Sequence, residues 1–346
     1  MVYNVKAQQY WNKLDGPTFT EIRFAYMNKI GHIFAQAENG DLYYSMDKGR
    51  SWIDGQVGLS KFIPDTIYQD YLVESPSGVI YMLRNNNFYE FDNNKLEWLF
   101  KSNSNNIGNI QNFRVSDNGT IYAYFRLAGD GVIYNSTDQG KTFIKLLDFN
   151  IASNPDFIVG QKDQNYVINL YNIYKFNDDG TNLKNINFNL KFTKYTKIKN
   201  TDKVIIIGEK ESNILDTKLE TIVNLKIDPK ISIKEVLQLS NGKLIAFCTD
   251  SLGRDINYFS LDEGSNWIVD TIYTAVHTQE FYNYYDRLST SDQNDILMRV
   301  NQNVYLFDST GKASLLELPL KTNKSIGYDY IKQYGKENII VRIPGS

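Results

Sequence analysis

Ser136-Thr137-Asp138-Gln139-Gly140-Lys141-Thr142-Phe143 decides the reading of this chain, because it returns twice with the same fixed positions. The other copies are Ser45-Met46-Asp47-Lys48-Gly49-Arg50-Ser51-Trp52 and Ser260-Leu261-Asp262-Glu263-Gly264-Ser265-Asn266-Trp267, so the shared form is S-x-D-x-G-x-x-(W/F). Each fixed position has a physical task. The Ser and Asp oxygens accept hydrogen bonds from nearby backbone amides, and Gly relieves a position of φ > 0. The aromatic ring folds beneath the turn to pack between sheets. At ordinary residue usage four such positions coincide at roughly 10⁻⁵ per site, so three copies mark a built element.

A longer repeat surrounds these turns. A polar or Gly-bearing turn followed by a β-branched or aromatic strand recurs around Ile33, Ile80, Ile121, Val167, Ile205, Leu244, Ile296 and Ile339. Short strands and tight turns at a spacing of about 44 residues are the pattern of propeller blades. A second turn follows each of the first seven, centred on Asp47, Asp92, Asp138, Asp178, Asp216, Asp262 and Asp308, so each unit holds two hairpins. No helical period or heptad competes. The expected fold is all-β, a β-propeller of four-stranded antiparallel blades forming one domain over residues 1–346. Eight blades are favoured and seven is the alternative. The eighth unit has only the strands near 328–333 and 338–343, so segment 2–14 is expected to complete it. The N- and C-terminal strands would then share the last blade and leave no exposed edge.

Composition agrees. Of 346 residues 14% are aromatic, with 25 Tyr and 19 Phe, types that suit pleated, half-buried surfaces. A net charge of −3 and a pI near 5.6 leave no basic field for a phosphate backbone, which argues against nucleic acid. No apolar run approaches the ~18 residues of a membrane span. Cys248, the only cysteine, lies in the apolar run Leu244 to Cys248 and reads as a small core hydrophobe. The opening MVYNVKAQQYWNKL lacks a basic segment followed by an apolar one. The Asn-, Lys-, Ile- and Tyr-rich usage suggests an AT-rich bacterial or phage genome.

The three turns resemble the Asp-box of the BNR-repeat propellers, a group that includes sialidase-like, sortilin-type and photosystem II assembly factor-like domains. The resemblance covers units one, three and six; other outer turns, such as Phe176-Asn177-Asp178-Asp179-Gly180-Thr181, are degenerate. It implies boxes at the blade periphery, away from any ligand. Ser45, Asp47, Gly49, Trp52, Ser136, Asp138, Gly140, Phe143, Ser260, Asp262, Gly264 and Trp267 are therefore expected to be structural. It also implies a secreted or cell-surface protein whose signal peptide is absent from this sequence, the alternatives being a cytoplasmic or a virion component.

Sialidases of this group carry an early F/Y-R-I-P motif, three arginines gripping a carboxylate, a Tyr/Glu nucleophile pair and an acid/base Asp. Here Val341-Arg342-Ile343-Pro344 holds an R-I-P, but at the end of the chain, and it is set aside. Arg23, Arg114 and Arg287 fall on expected innermost strands and are candidates to line the channel. With only His32 and His277 there is no pattern for zinc, and no phosphate-binding glycine loop is present. No catalytic residue, metal or cofactor is assigned.

In a propeller the A–B and C–D turns share one face, and the B–C and D–A loops share the other. The second set is uneven here, so specificity is expected there. Loop 54–70 carries Asp65 and Tyr68, loop 249–255 carries Arg254, and loop 268–286 carries His277, Tyr282, Tyr284 and Tyr285. These seven are the candidate ligand-binding residues, because clustered Tyr rings suit sugar stacking or a protein hot spot. The expected function is a non-enzymatic binding propeller for a glycan or protein, monomeric or part of a larger surface assembly. The alternatives are a sialidase-like glycoside hydrolase and an assembly scaffold without a small ligand.

Overall fold

The computed structural model describes residues 19–342 apart from 21, 38–39, 61–70, 105–106, 128–129, 150–154, 160–163, 170–171, 187–191, 209–210, 226, 229, 272–287, 301–302, 320–329 and 335–337. The chain divides into two units, one spanning 21–316 and one made of the two ends, 1–20 with 317–346.

The larger unit contains seven antiparallel four-stranded sheets, each built from four consecutive strands. They are blades one to seven, spanning 22–54, 71–103, 109–148, 156–185, 192–224, 232–269 and 289–315. The second strand of each blade lies between neighbouring blades, so it reads as a largely apolar run. Ile33–Ala37 and Ile80–Arg84 are buried at every position. The outermost strand Ile144–Asp148 is half-buried to exposed throughout. Apolar clusters fill the gaps between successive blades. Phe34 and Tyr44 of blade one pack with Phe91 and Trp98 of blade two, and Phe88 of blade two packs with Phe113 and Phe125 of blade three. Tyr122 meets Phe157 and Phe176 between blades three and four. Cys248 is buried with Ile205 and Val236 between blades five and six, where burial pushes its thiol up to about 12.

The seam between blades seven and one is stitched by side chains and single backbone bonds. The Met27 amide donates to Ser289 Oγ at 2.9 Å, and the Asp292 amide donates to the Lys29 carbonyl. Lys48 pairs with the buried Asp295 at 2.7 Å and also donates to Gln293.

Among the described residues seven complete blades therefore form, the alternative count, and not the favoured eight. In the smaller unit the eighth repeat makes a two-stranded sheet, Tyr330–Tyr334 with Asn338–Arg342. Phe19–Thr20 pairs with Leu318–Pro319 as a separate two-stranded sheet. One hairpin supplies only half a blade, and the seventh blade already has four strands. Segment 2–14 lies outside the described residues.

Candidate functional site

The three S-x-D-x-G turns share the same four hydrogen bonds. Ser136 Oγ accepts the Gly140 amide at 2.9 Å and donates to Asp138 Oδ1 at 2.8 Å. Asp138 also accepts the Thr142 amide at 3.0 Å and the Thr142 hydroxyl at 2.6 Å. Ser51 and Asn266 supply the same two donors to Asp47 and Asp262. These bonds hold all three carboxyls well below the ordinary carboxylate range, at about 2. The donor at the seventh motif position was not read from sequence, although Ser, Thr and Asn all offer a short polar side chain there. The fourth position was also read as free, yet Lys48, Gln139 and Glu263 have φ near +60°. Two of them reach the preceding blade: Lys48 to Asp295, and Glu263 to Lys203 at 2.7 Å. Phe143 packs edge-on against Phe88 and Phe125, and Trp267 Nε1 donates to the Gly264 carbonyl. Trp52 lies beside Gly49.

The first strand of each blade is innermost, as bonds that skip a blade demonstrate. Arg114 of blade three pairs with Asp156 of blade four at 2.7 Å and donates from Nε to Tyr195 Oη of blade five at 3.1 Å. It also donates to Asn112 Oδ1, and Asn112 in turn donates to Asp156. Lys197 of blade five reaches Asp117 of blade three at 3.0 Å. Only groups facing a common central channel can bond over an intervening blade. Lys194 pairs with the buried Glu235 of blade six at 2.5 Å. The charges of Arg114, Lys194 and Lys197 are thus matched between blades, which keeps these three cations compensated. Of the channel candidates, Arg114 lies in this network, Arg23 is half-buried on the innermost strand of blade one, and Arg287 lies outside the described residues. Asp156, Tyr195, Lys197 and Glu235 were missed by sequence reasoning. Their signal was polar side chains interrupting otherwise apolar first strands, as in Asn112-Phe113-Arg114 and Lys194-Tyr195-Thr196-Lys197.

Among the loop candidates, Arg254 is exposed and its guanidinium donates to Asp250 Oδ2 at 2.7 Å. Asp250 also accepts the Arg254 and Leu252 amides, and these bonds, led by the Arg254 amide, hold its carboxyl below the ordinary range. Arg254 thus braces its own hairpin while remaining accessible. Asp65, Tyr68, His277, Tyr282, Tyr284 and Tyr285 lie outside the described residues. Among the described residues no cluster of His, Cys, Asp and Glu is arranged to hold a metal ion, and no helix is long and apolar enough to cross a membrane.

The class these features define is a β-propeller of seven four-stranded blades. No protein-family model and no curated protein matches the sequence. Solved structures match by fold. An oligogalacturonate lyase in complex with manganese aligns with a TM-score of 0.56 and 12% identity, covering 87% of this chain and 90% of its own. Saccharomyces cerevisiae Sqt1 aligns at 0.53 and 10% identity, covering 95% and 94%. YCF48 bound to D1 peptide aligns at 0.51 and 11% identity, covering 87% and 93%.

Proposed function

We propose that this chain is an Asp-box propeller that binds a protein or glycan partner through its B–C and D–A loops, at the cell surface or after secretion, without catalysing a reaction on it. The observation that carries this reading is the internal matching of the channel belt. Arg114 is held by Asp156, Tyr195 and Asn112, and Lys194 and Lys197 are held by Glu235 and Asp117. An arginine so committed is poorly placed to clamp a substrate carboxylate, which weighs against the sialidase-like alternative. The propeller bound to D1 peptide offers a precedent for peptide recognition by this architecture.

Glycan and peptide arrays, run on the same purified protein as a fluorogenic sialoside hydrolysis assay, test the reading. Saturable binding with no product release is the expected result. Release at enzyme-like turnover, abolished by Arg114→Ala, would overturn it in favour of a hydrolase.

A further inference from the structure

The innermost strands share an irregularity that the repeat did not reveal. In blade one the register slips between Ile22 and Phe24, leaving Arg23 bulged. In blade three it slips between Ile110 and Asn112, leaving Gln111. In blades five and six the extra residues are Thr193 and Lys234. Each bulge lies five residues ahead of the amide that closes its A–B turn, at Asn28, Ser116, Ile198 and Leu239 respectively. Four bulges therefore sit at one level of the ring. That level is the start of the innermost strand, next to the D–A loops, on the face where partner binding is proposed above.

A bulge takes its residue out of the ladder and re-aims the side chain, and such features are kept where a side chain is needed outside the packing pattern. The re-aimed side chains at blades one and six are cationic. Closer to the turn face, Arg114–Tyr195 and Lys197–Asp117 cross the channel between blades three and five. Access to the bulges is therefore from the loop side.

Lys234 differs from its neighbours in the belt. Arg114, Lys194 and Lys197 each meet a carboxylate, whereas the Lys234 ammonium donates to Ser232 Oγ at 3.1 Å. It is half-buried, and Ser232 pairs with Thr249, where the Thr249–Asp255 hairpin begins. An ammonium is a compact point charge with three donors, so one hydroxyl leaves it able to take a further acceptor.

We propose that Lys234 is a ligand-binding residue that receives a carboxylate at the loop-face mouth of the channel. The proposal rests on the loop-face reading above and adds the chemistry of what enters. It is tested on the unmodified protein by measuring lysine acetylation rates by mass spectrometry. Millimolar succinate is compared with sodium chloride at equal ionic strength. Acetylation of Lys234 should slow by about threefold or more, while exposed Lys218 and Lys230 react at unchanged rates. Equal rates at Lys234 in the two salts would overturn the proposal, as would uniform slowing at all three lysines. Protection of Lys234 alongside a failed array screen would sink the partner reading and leave this one standing. An array partner without protection would do the reverse.

Discussion

Lys48→Met is the variant that best probes how the ring is closed. Lys48 belongs to the first box, yet its ammonium sits 2.7 Å from Asp295 on the other side of the seam between blades seven and one. The Asp295 carboxylate is 4% exposed and the Lys48 side chain 34% exposed. Removing the cation leaves a buried carboxylate whose remaining side-chain donor is Ser291 Oγ at 2.8 Å. Breaking a fully buried pair costs about 3–5 kcal/mol and an exposed one about 0–1. A pair with one partner buried and the other a third exposed, and with one hydroxyl left behind, falls near 2 kcal/mol. Methionine keeps the aliphatic stem beside Gly31, so the loss is mainly electrostatic. For a cooperative unit of about 300 residues that corresponds to a melting shift of about 3 °C.

The assay is urea and thermal unfolding followed by near-ultraviolet circular dichroism. Lys203→Met serves as control, because its partner Glu263 is 48% exposed and the loss should stay under about 0.5 kcal/mol. A double-mutant cycle with Asp295→Leu isolates the pair. Equal small losses for Lys48→Met and Lys203→Met would refute the argument that this seam is held by a buried ion pair.

Three further outcomes are expected. Asp138→Ala removes the acceptor of three bonds and should lower stability by about 1–2 kcal/mol by urea midpoint while leaving partner affinity unchanged; normal stability with lost binding would move the box into the site. The carboxyls of Asp47, Asp138 and Asp262 are depressed to about 2 in the folded chain, so their contribution is complete above the unfolded carboxylate range. It is lost as pH falls from about 4 towards 2; a triple Asp→Asn variant should show a shallower acid decline, and an identical decline would show that other groups govern it. Tyr284→Ala or Tyr282→Ala should weaken partner binding about tenfold, near 1.4 kcal/mol, with melting close to wild type; lost stability at unchanged affinity would assign the rings to packing.

What the sequence disclosed follows from how local each interaction is. The box was legible because its bonds close within seven residues, from Ser136 to Thr142. The blade was legible because hairpins pair neighbouring segments. Blade number was not, since a trailing hairpin such as Tyr330 to Arg342 has the same local pattern whether or not outer strands join it. The channel belt was hidden for a related reason: Arg114 meets partners 42 and 81 residues away, one and two blades on. The bulges escaped because an extra residue shifts the register by one without altering composition. The aromatic cluster of 268–286 was conspicuous in sequence, but Tyr282, Tyr284 and Tyr285 fall outside the described residues.

The boxes also give the ring a direction, and two glycines test it. Gly140 and Gly119 lie on the same blade with nearly the same backbone, φ +79° and +85°. Alanine at either position meets the same left-handed strain, about 1–2 kcal/mol. Their surroundings differ. A Cβ on Gly119 would meet nothing within 4 Å, whereas on Gly140 it would fall 2.3 Å from Phe88 of the preceding blade. The same backward lean recurs, with Gly49 against Leu316, Gly180 against Leu146 and Gly264 against Ile214. Phe88 is fully buried among Tyr81, Phe113 and Phe143, so it has little room to move aside. Overpacking there should add about 1–3 kcal/mol to the backbone strain. Gly140→Ala is therefore expected to unfold at clearly lower urea than Gly119→Ala. If the two lose the same stability, the box glycine serves only its own turn, and the contact with the preceding blade contributes nothing to holding the ring.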